Sequence, residues 1–151
     1  MLVNMSRFIH VQKVITEQIA EWFEELFNDI RINFNDDSRK NLHLPLYVEL
    51  NSIWEKHFSQ VNDVTFERVS QKASLLTALE KIEVKMVNGS KQSASLNYKE
   101  NPSLRVIAVG GLALSRGLTL EGLMVSYFYR NPATFDVLMQ MGRWFGYRRG
   151  Y

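Results

Sequence analysis

The sequence predicts an α/β fold with a mainly parallel sheet, enlarged by a helical insertion between residues 36 and 80. Four short apolar segments carry this prediction, because they have the length of strands and are separated by helical or long connections. Such connections favour parallel strands joined by right-handed crossovers. With 151 residues and 46% hydrophobic content, the chain can build one core but is too short to suggest two. We therefore expect a single domain over residues 1–151.

The first pair of elements is a strand followed by a long helix. Leu2 to Met5 is a short apolar segment, typical of a buried strand. Ser6 is a preferred N-cap residue and predicts a helix over about residues 7–33. Apolar residues then recur at spacings of three and four, from Phe8 to Ile30. This continuous stripe predicts that the helix packs on a sheet.

The insertion begins with a polar connection over residues 35–41, which we expect to be exposed. Pro45 suits the first turn of the next helix, which should extend to about Phe58. Thr65 can cap a further helix that ends near Lys81.

Three further strands are predicted in the second half of the chain. Ile82 to Val87 alternates apolar and polar residues and ends in a turn, as strands do. Arg105 to Val109 is rich in β-branched residues and ends in Gly110-Gly111, which is typical of a strand buried on both faces of a parallel sheet. Leu123 to Tyr129 is the fourth apolar segment, and a helix can start at Thr134.

Several classes of protein are excluded by missing residues. The chain has no cysteine, which excludes disulfides and cysteine-based zinc sites. It has no apolar run of 18 residues and no signal peptide, so we expect a cytoplasmic protein without a membrane segment. It also lacks the G-x-x-x-x-G-K-[ST] loop that holds nucleotide phosphates. Both ends look cut, and we expect the chain to be a fragment of a longer protein.

A serine hydrolase and a histidine metal site are both disfavoured. Ser115 lies on a segment similar to a nucleophile elbow, but that mechanism needs a histidine later in the chain. The three histidines are His10, His43 and His57, and all precede Ser115. None has a second histidine four residues away, as a helical metal site would require. We assign no metal site to them.

Two features allow more than one interpretation. Asp63, Glu83 and Lys85 have the residue types of a D…E-x-K nuclease centre, in which carboxylates hold Mg²⁺. The last two can equally be the polar face of an alternating strand. Trp144 and Phe145 could stack on bases, although aromatic residues beside a helix end are more often part of a core.

The basic residues are concentrated near the end of the sequence. Residues 130–149 contain four of the 18 lysines and arginines but one acid, Asp136. Within them, Gln140 to Arg148 combines two arginines with glycines that permit close backbone approach. Arginine suits bidentate contact with phosphate and can stabilise a transferring phosphoryl group across a domain interface. A solvated basic helix end is the alternative, and both interpretations stay open.

At this point the sequence resembles a known family. The segments SRGLTLEGL, SYFYR and QMGRWFGYRRGY are similar to the Z-one domain of candidate endonucleases, a family attached to superfamily II ATPase modules. The same stretch resembles motifs V and VI of the second RecA-like domain of superfamily II helicases. The match is dense over residues 104–151 and weaker over residues 2–12 and 84–90. The resemblance implies a RecA-like three-layer domain, the C-terminal half of an ATPase.

The resemblance also implies site residues. Arg116 and Gly117 correspond to the Arg-Gly of motif V, and Gly142 and Arg143 to the Gly-Arg of motif VI. Two residues are then catalytic candidates, Arg143 and Arg148, and six are cofactor-binding candidates: Gly110, Gly111, Arg116, Gly117, Gln140 and Gly142. Four positions depart from the helicase pattern. Gly111 replaces a threonine, Thr119 an aspartate and Gly146 the second arginine, and Gln140 is one place nearer to the Gly-Arg than the pattern requires.

In function, the resemblance implies a helicase-like, ATP-dependent DNA-processing protein. ATP with Mg²⁺ would be held by a P-loop domain of the same protein, and Arg143 would reach its phosphates. The chain alone should hold no ATP stably, and should bind DNA weakly and without sequence preference. Two alternatives stay open: a metal-dependent nuclease domain proper, and a non-catalytic interaction module that retains the fold.

Overall fold

The structure is a computed structural model that describes residues 1–6, 8–60, 64–87, 96, 105–111, 123–129 and 139. Within these residues, the strands are β1 (Leu2–Asn4), β2 (Ile82–Val87), β3 (Arg105–Gly110) and β4 (Ser126–Phe128). The helices are α1 (Ile9–Asn33), α2 (Pro45–His57), α3 (Phe66–Val69) and α4 (Lys72–Leu79), with a 3-10 turn at Ser38–Asn41. The helix predicted from Thr134 lies outside the described residues.

The described strands form one parallel sheet in the order β2-β3-β1-β4. Leu2 of β1 lies opposite Ala108 of β3 and Ser126 of β4. Leu2 and Ala108 are buried with Val87 in one hydrophobic cluster, because inner strands of a parallel sheet are covered on both faces. The predicted α/β class and parallel sheet are therefore confirmed.

The order of the strands creates a reversal between β1 and β3. From β1 the chain continues to β2, which lies beyond β3, and from β3 it continues to β4, which lies beyond β1. With right-handed crossovers, connections in opposite directions leave toward opposite faces of the sheet. The adjacent carboxyl ends of β1 and β3 are thus a topological switch point, where open α/β sheets bind their ligands.

The contacts divide the chain into two compact units. One contains Met1–Glu21 with Ile82–Tyr151, and the other is Trp22–Lys81. The second unit is helical, as the predicted insertion requires. The single domain over residues 1–151 stays a prediction.

The core of the helical unit begins in α1. Ile30 and Phe34 are buried against Tyr47 of α2, whereas the apolar stripe of α1 had predicted packing on a sheet. Length explains the difference, since a helix of 25 residues extends about 37 Å. The longest described strands have six residues and extend about 20 Å. The second half of α1 therefore has an apolar face that the helices of its own unit cover.

Two other local predictions need correction. The connection over residues 35–41 is not wholly exposed, because Asn41 is buried. Its Oδ1 accepts a hydrogen bond from the backbone N–H of Asn35 at 2.8 Å, and its Nδ2 donates to the backbone oxygen of Asn35 at 3.1 Å. The helix predicted from Thr65 to Lys81 is two helices, broken where Gln71 is extended. Beside the break, Ser70 is buried and its hydroxyl donates to the Tyr47 hydroxyl at 3.2 Å. The Ser70 hydroxyl also lies 3.4 Å from the backbone oxygen of Glu67, and such local bonds from side chain to backbone compete with the continuation of a helix.

Candidate functional site at the β1–β3 switch point

The switch point is formed by the last residues of the two inner strands. Asn4 ends β1 and lies opposite Gly110, which ends β3. Only 2% of the Asn4 surface is exposed. Ser6 follows β1 and Gly111 follows β3, so the two residues lie at the same edge of the sheet.

Gln12 joins the segment after β1 to the start of α1. Its Nε2 donates a hydrogen bond to the backbone oxygen of Ser6 at 2.8 Å. The hydroxyl of Ser6 accepts from the backbone N–H of Phe8 at 3.1 Å, which is the kind of bond expected of the predicted cap. α1 itself begins at Ile9 rather than at residue 7. The carboxamide of Gln12 is 98% buried, since its exposed fraction is 2%.

Gly111 lies against these same groups. A Cβ at this position would be 2.4 Å from the backbone oxygen of Ser6 and 2.7 Å from Nε2 of Gln12. Both distances are far inside van der Waals contact, and the first involves backbone that cannot simply rotate away. The φ angle of Gly111 is outside the left-handed region, so the requirement for glycine is steric.

The second polar atom of Gln12 is not satisfied within the described residues. Oε1 is buried and accepts no hydrogen bond from them. A buried polar atom without a partner costs about 1–3 kcal/mol, and such atoms in native proteins usually have a specific reason. Oε1 belongs to a side chain that lies against both Ser6, after β1, and Gly111, after β3. Oε1 of Gln12 therefore needs a hydrogen-bond donor.

Sequence reasoning missed Gln12 and did not assign Ser6 to a site. A signal for Gln12 exists, because it falls on the apolar stripe of α1, four residues after Phe8 and three before Ile15. A polar residue on a buried stripe must find hydrogen-bond partners. Of the predicted site residues, the structure describes Gly110 and Gly111 and places both at the switch point. The other predicted residues lie outside the described part of the chain: Arg116, Gly117, Gln140, Gly142, Arg143 and Arg148.

The candidate nuclease residues have a different environment. Glu83 and Lys85 are two residues apart on β2, so they share one face of the strand. They form an ion pair with each other at 2.5 Å. Asp63 lies outside the described residues. In the part of the chain that the structure describes, no three His, Cys, Asp or Glu side chains are grouped so that they could hold a metal ion.

Two of the histidines contact aromatic rings. His10 lies near Phe8 and His57 near Phe58, with ring centroids 6.1 Å and 6.4 Å apart. Among the described helices, none has the length and apolar character needed to cross a membrane.

The fold and the site thus define an α/β domain with a topological switch point in a parallel sheet. Residues 1–151 match the family model of the Z1 domain. The chain belongs to the Z1 domain family, which confirms its resemblance to the Z-one domain. No curated protein and no solved structure matches the chain. The resemblance to helicase motifs V and VI stays a prediction.

Proposed function

We propose that this Z1 domain is the C-terminal half of a helicase-like, ATP-dependent DNA-processing protein of the candidate-endonuclease type. A P-loop domain of the same protein holds ATP and Mg²⁺, and this chain completes the site. The supporting observation is that Gly110 and Gly111 lie at the carboxyl edge where β1 and β3 meet. Open α/β sheets bind ligands at such a switch point. The segment that resembles motif V begins at Gly111.

The proposed role of this half is electrostatic. Arg143 reaches the phosphates of the ATP and stabilises the charge that develops as the phosphoryl group is transferred. Arg148 shares this role, because it is the next arginine after the glycine that replaces the second motif VI arginine. Arg116, Gly117, Gln140 and Gly142 form the surface that faces the nucleotide. The glycines allow the backbone to approach it closely.

The test uses the intact protein with its P-loop domain. Substituting an arginine finger lowers kcat by roughly 10³ to 10⁵, so Arg143→Ala should lower steady-state ATP hydrolysis by that factor. Arg105→Ala is the matched control, because Arg105 is exposed at the opposite, amino-terminal end of β3. It should leave kcat within a factor of about three, which is less than 1 kcal/mol. If Arg143→Ala and Arg148→Ala also stay within that factor, the proposal is wrong.

A nuclease domain proper has less support. Lys85 is engaged by Glu83, and a nuclease lysine must instead face the attacking water, with the carboxylates on Mg²⁺. DNA cleavage by the isolated chain that requires Mg²⁺ and is lost in Glu83→Gln would select the nuclease over the ATPase half. The interaction-module alternative predicts normal ATP hydrolysis in the intact Arg143→Ala protein.

A further inference from the structure

The unsatisfied oxygen of Gln12 indicates which part of a ligand the switch point recognises. We infer that the switch point binds a ribonucleoside phosphate, with a sugar hydroxyl donating to Gln12 Oε1 and the phosphate near the N-terminal end of α1. The choice of a nucleotide rests on the proposed function. The assignment of the hydroxyl rests on the geometry of Gln12.

The orientation of the carboxamide is fixed by its neighbour. Nε2 is 2.8 Å from the backbone oxygen of Ser6. Rotating the amide by 180° would place Oε1 there instead, so that two acceptors would face each other without a hydrogen. Oε1 must therefore be the unsatisfied atom. Because it can only accept, the ligand group beside it is a donor and cannot be an ionised phosphate oxygen.

The helix restricts the donor further. α1 has 25 residues, and the start of a helix carries a partial positive charge and unpaired N–H groups. This end favours phosphate and disfavours an ammonium group. Gln12 lies at the fourth position of α1, so the acceptor and the anion-binding end are adjacent. A ligand with a neutral hydroxyl a few bonds from a phosphate ester satisfies both, and the ribose of a nucleotide has this arrangement.

A buried acceptor also explains how selectivity would arise. Gln12 Oε1 gains a partner only from a ligand with the hydroxyl, and a deoxy ligand leaves it unsatisfied. In dinucleotide-binding folds the pyrophosphate lies at a helix N-terminus, and a separate carboxylate accepts the ribose hydroxyl. The carboxamide oxygen of Gln12 provides the same acceptor without a negative charge beside the phosphate.

The experiment measures binding to the 151-residue chain by NMR titration with ATP, 2′-deoxy-ATP and 3′-deoxy-ATP. One net hydrogen bond is worth about 0.5–1.5 kcal/mol, or roughly 2- to 13-fold in affinity. One of the deoxy nucleotides should therefore bind more weakly than ATP by that factor. In Gln12→Met this preference should vanish. In Gln18→Met it should remain, because Gln18 is exposed on the same helix.

The comparison of the three nucleotides uses the native chain, so it does not depend on the folding of a variant. Equal affinity for all three would overturn the inference, and would indicate a bound water as the partner of Oε1. Absence of binding at concentrations of roughly 10 mM, well above an ordinary weak affinity, would also overturn it. Loss of the preference in Gln18→Met would show that Gln12 is not its source.

Two further ligands distinguish the source of the ribose. Tighter, Gln12-dependent binding of an oligoribonucleotide than of the matching oligodeoxyribonucleotide or of ATP would assign the same hydroxyl contact to a strand. Preference for ATP would assign it to a free nucleotide. The outcome is also separable from the proposed function. Equal affinities would refute the hydroxyl contact even if Arg143→Ala abolished ATP hydrolysis in the intact protein.

Discussion

Replacing Gly111 with alanine tests the close approach on which the candidate site depends. The new Cβ would lie 2.4 Å from the Ser6 backbone oxygen and 2.7 Å from Gln12 Nε2, so the segment after β1 must move by roughly 1 Å to restore contact. Overpacking of this kind costs about 1–3 kcal/mol. The bond from Gln12 to Ser6 would be strained as well, which adds about 1 kcal/mol. We expect a total destabilisation of about 2–4 kcal/mol.

The assay is thermal unfolding of the native chain and of four variants: Gly111→Ala, Gln12→Ala, the combination of the two, and Gln18→Ala. A loss of that size should lower Tm by roughly 4 to 16 °C for a domain of about 150 residues. Gln12→Ala removes one of the two colliding groups, so its cost should be smaller in the Gly111→Ala background than in the native chain, with a coupling of about 0.5–3 kcal/mol. Gln18→Ala is the exposed control on the same helix and should change little. An unchanged Tm in Gly111→Ala would refute the close approach.

Three other predictions follow from particular residues. Ile30→Ala should destabilise the protein by about 2–5 kcal/mol in urea titrations, because Ile30 is only 2% exposed. Ile32 is 70% exposed, so Ile32→Ala should cost less than about 0.5 kcal/mol. Equal losses of stability in the two variants would contradict the helical core. The hydrogen bond from the Arg39 side chain lowers the pKa of Asp37, so this carboxylate stabilises the fold above its ordinary pKa and the contribution disappears as pH falls through the lowered value. The stability advantage of the native chain over Asp37→Asn should therefore be present at neutral pH and vanish in strong acid, and an advantage that persists there would rule out the ionic interaction. Finally, the isolated chain should bind DNA with a slope of log affinity against log salt of roughly −2 to −4, measured by fluorescence anisotropy. Arg148→Ala and Arg149→Ala would leave this slope unchanged if these arginines face ATP instead. Tight binding that does not change with salt would exclude a phosphate-based contact.

The strands were predictable because each has a local signature. Ile82–Val87 alternates, and Arg105–Gly110 is β-branched and ends at two glycines, so both were located from the sequence to within a residue. The order of the strands had no such signal. Parallel pairing of β1 between β3 and β4 is set by contacts between residues more than 100 positions apart, which periodicity cannot show.

The helices were less predictable where tertiary contacts decide their limits. The break lies beside Ser70, whose hydroxyl bonds to Tyr47, 23 residues earlier, and no local rule anticipates that partner. The length of α1 was predicted almost correctly, but its stripe did not reveal that its second half serves a different core. An apolar stripe shows that a helix face is buried and leaves open which surface covers it.

The candidate site illustrates the same limit. Gly110 and Gly111 were identified because glycines after a buried strand indicate a tight turn or a close approach. The group that approaches Gly111 was not identifiable, since Ser6 and Gln12 are about 100 residues away in sequence and carry no motif. A steric need for glycine becomes visible only when the partner is in place.

The predicted correspondence to motif V would place a threonine at residue 111, and the structure shows which group occupies the space that it would need. A side chain at residue 111 would start at a Cβ only 2.7 Å from Nε2 of Gln12, so the carboxamide of Gln12 occupies the space that a threonine would need. Gly111 and Gln12 are therefore mutually dependent, because glycine at 111 leaves the space that the carboxamide of Gln12 occupies. The carboxamide belongs to α1, so its acceptor Oε1 is anchored to the start of a long helix. A ligand contact made by Gln12 would therefore be held in place by this helix.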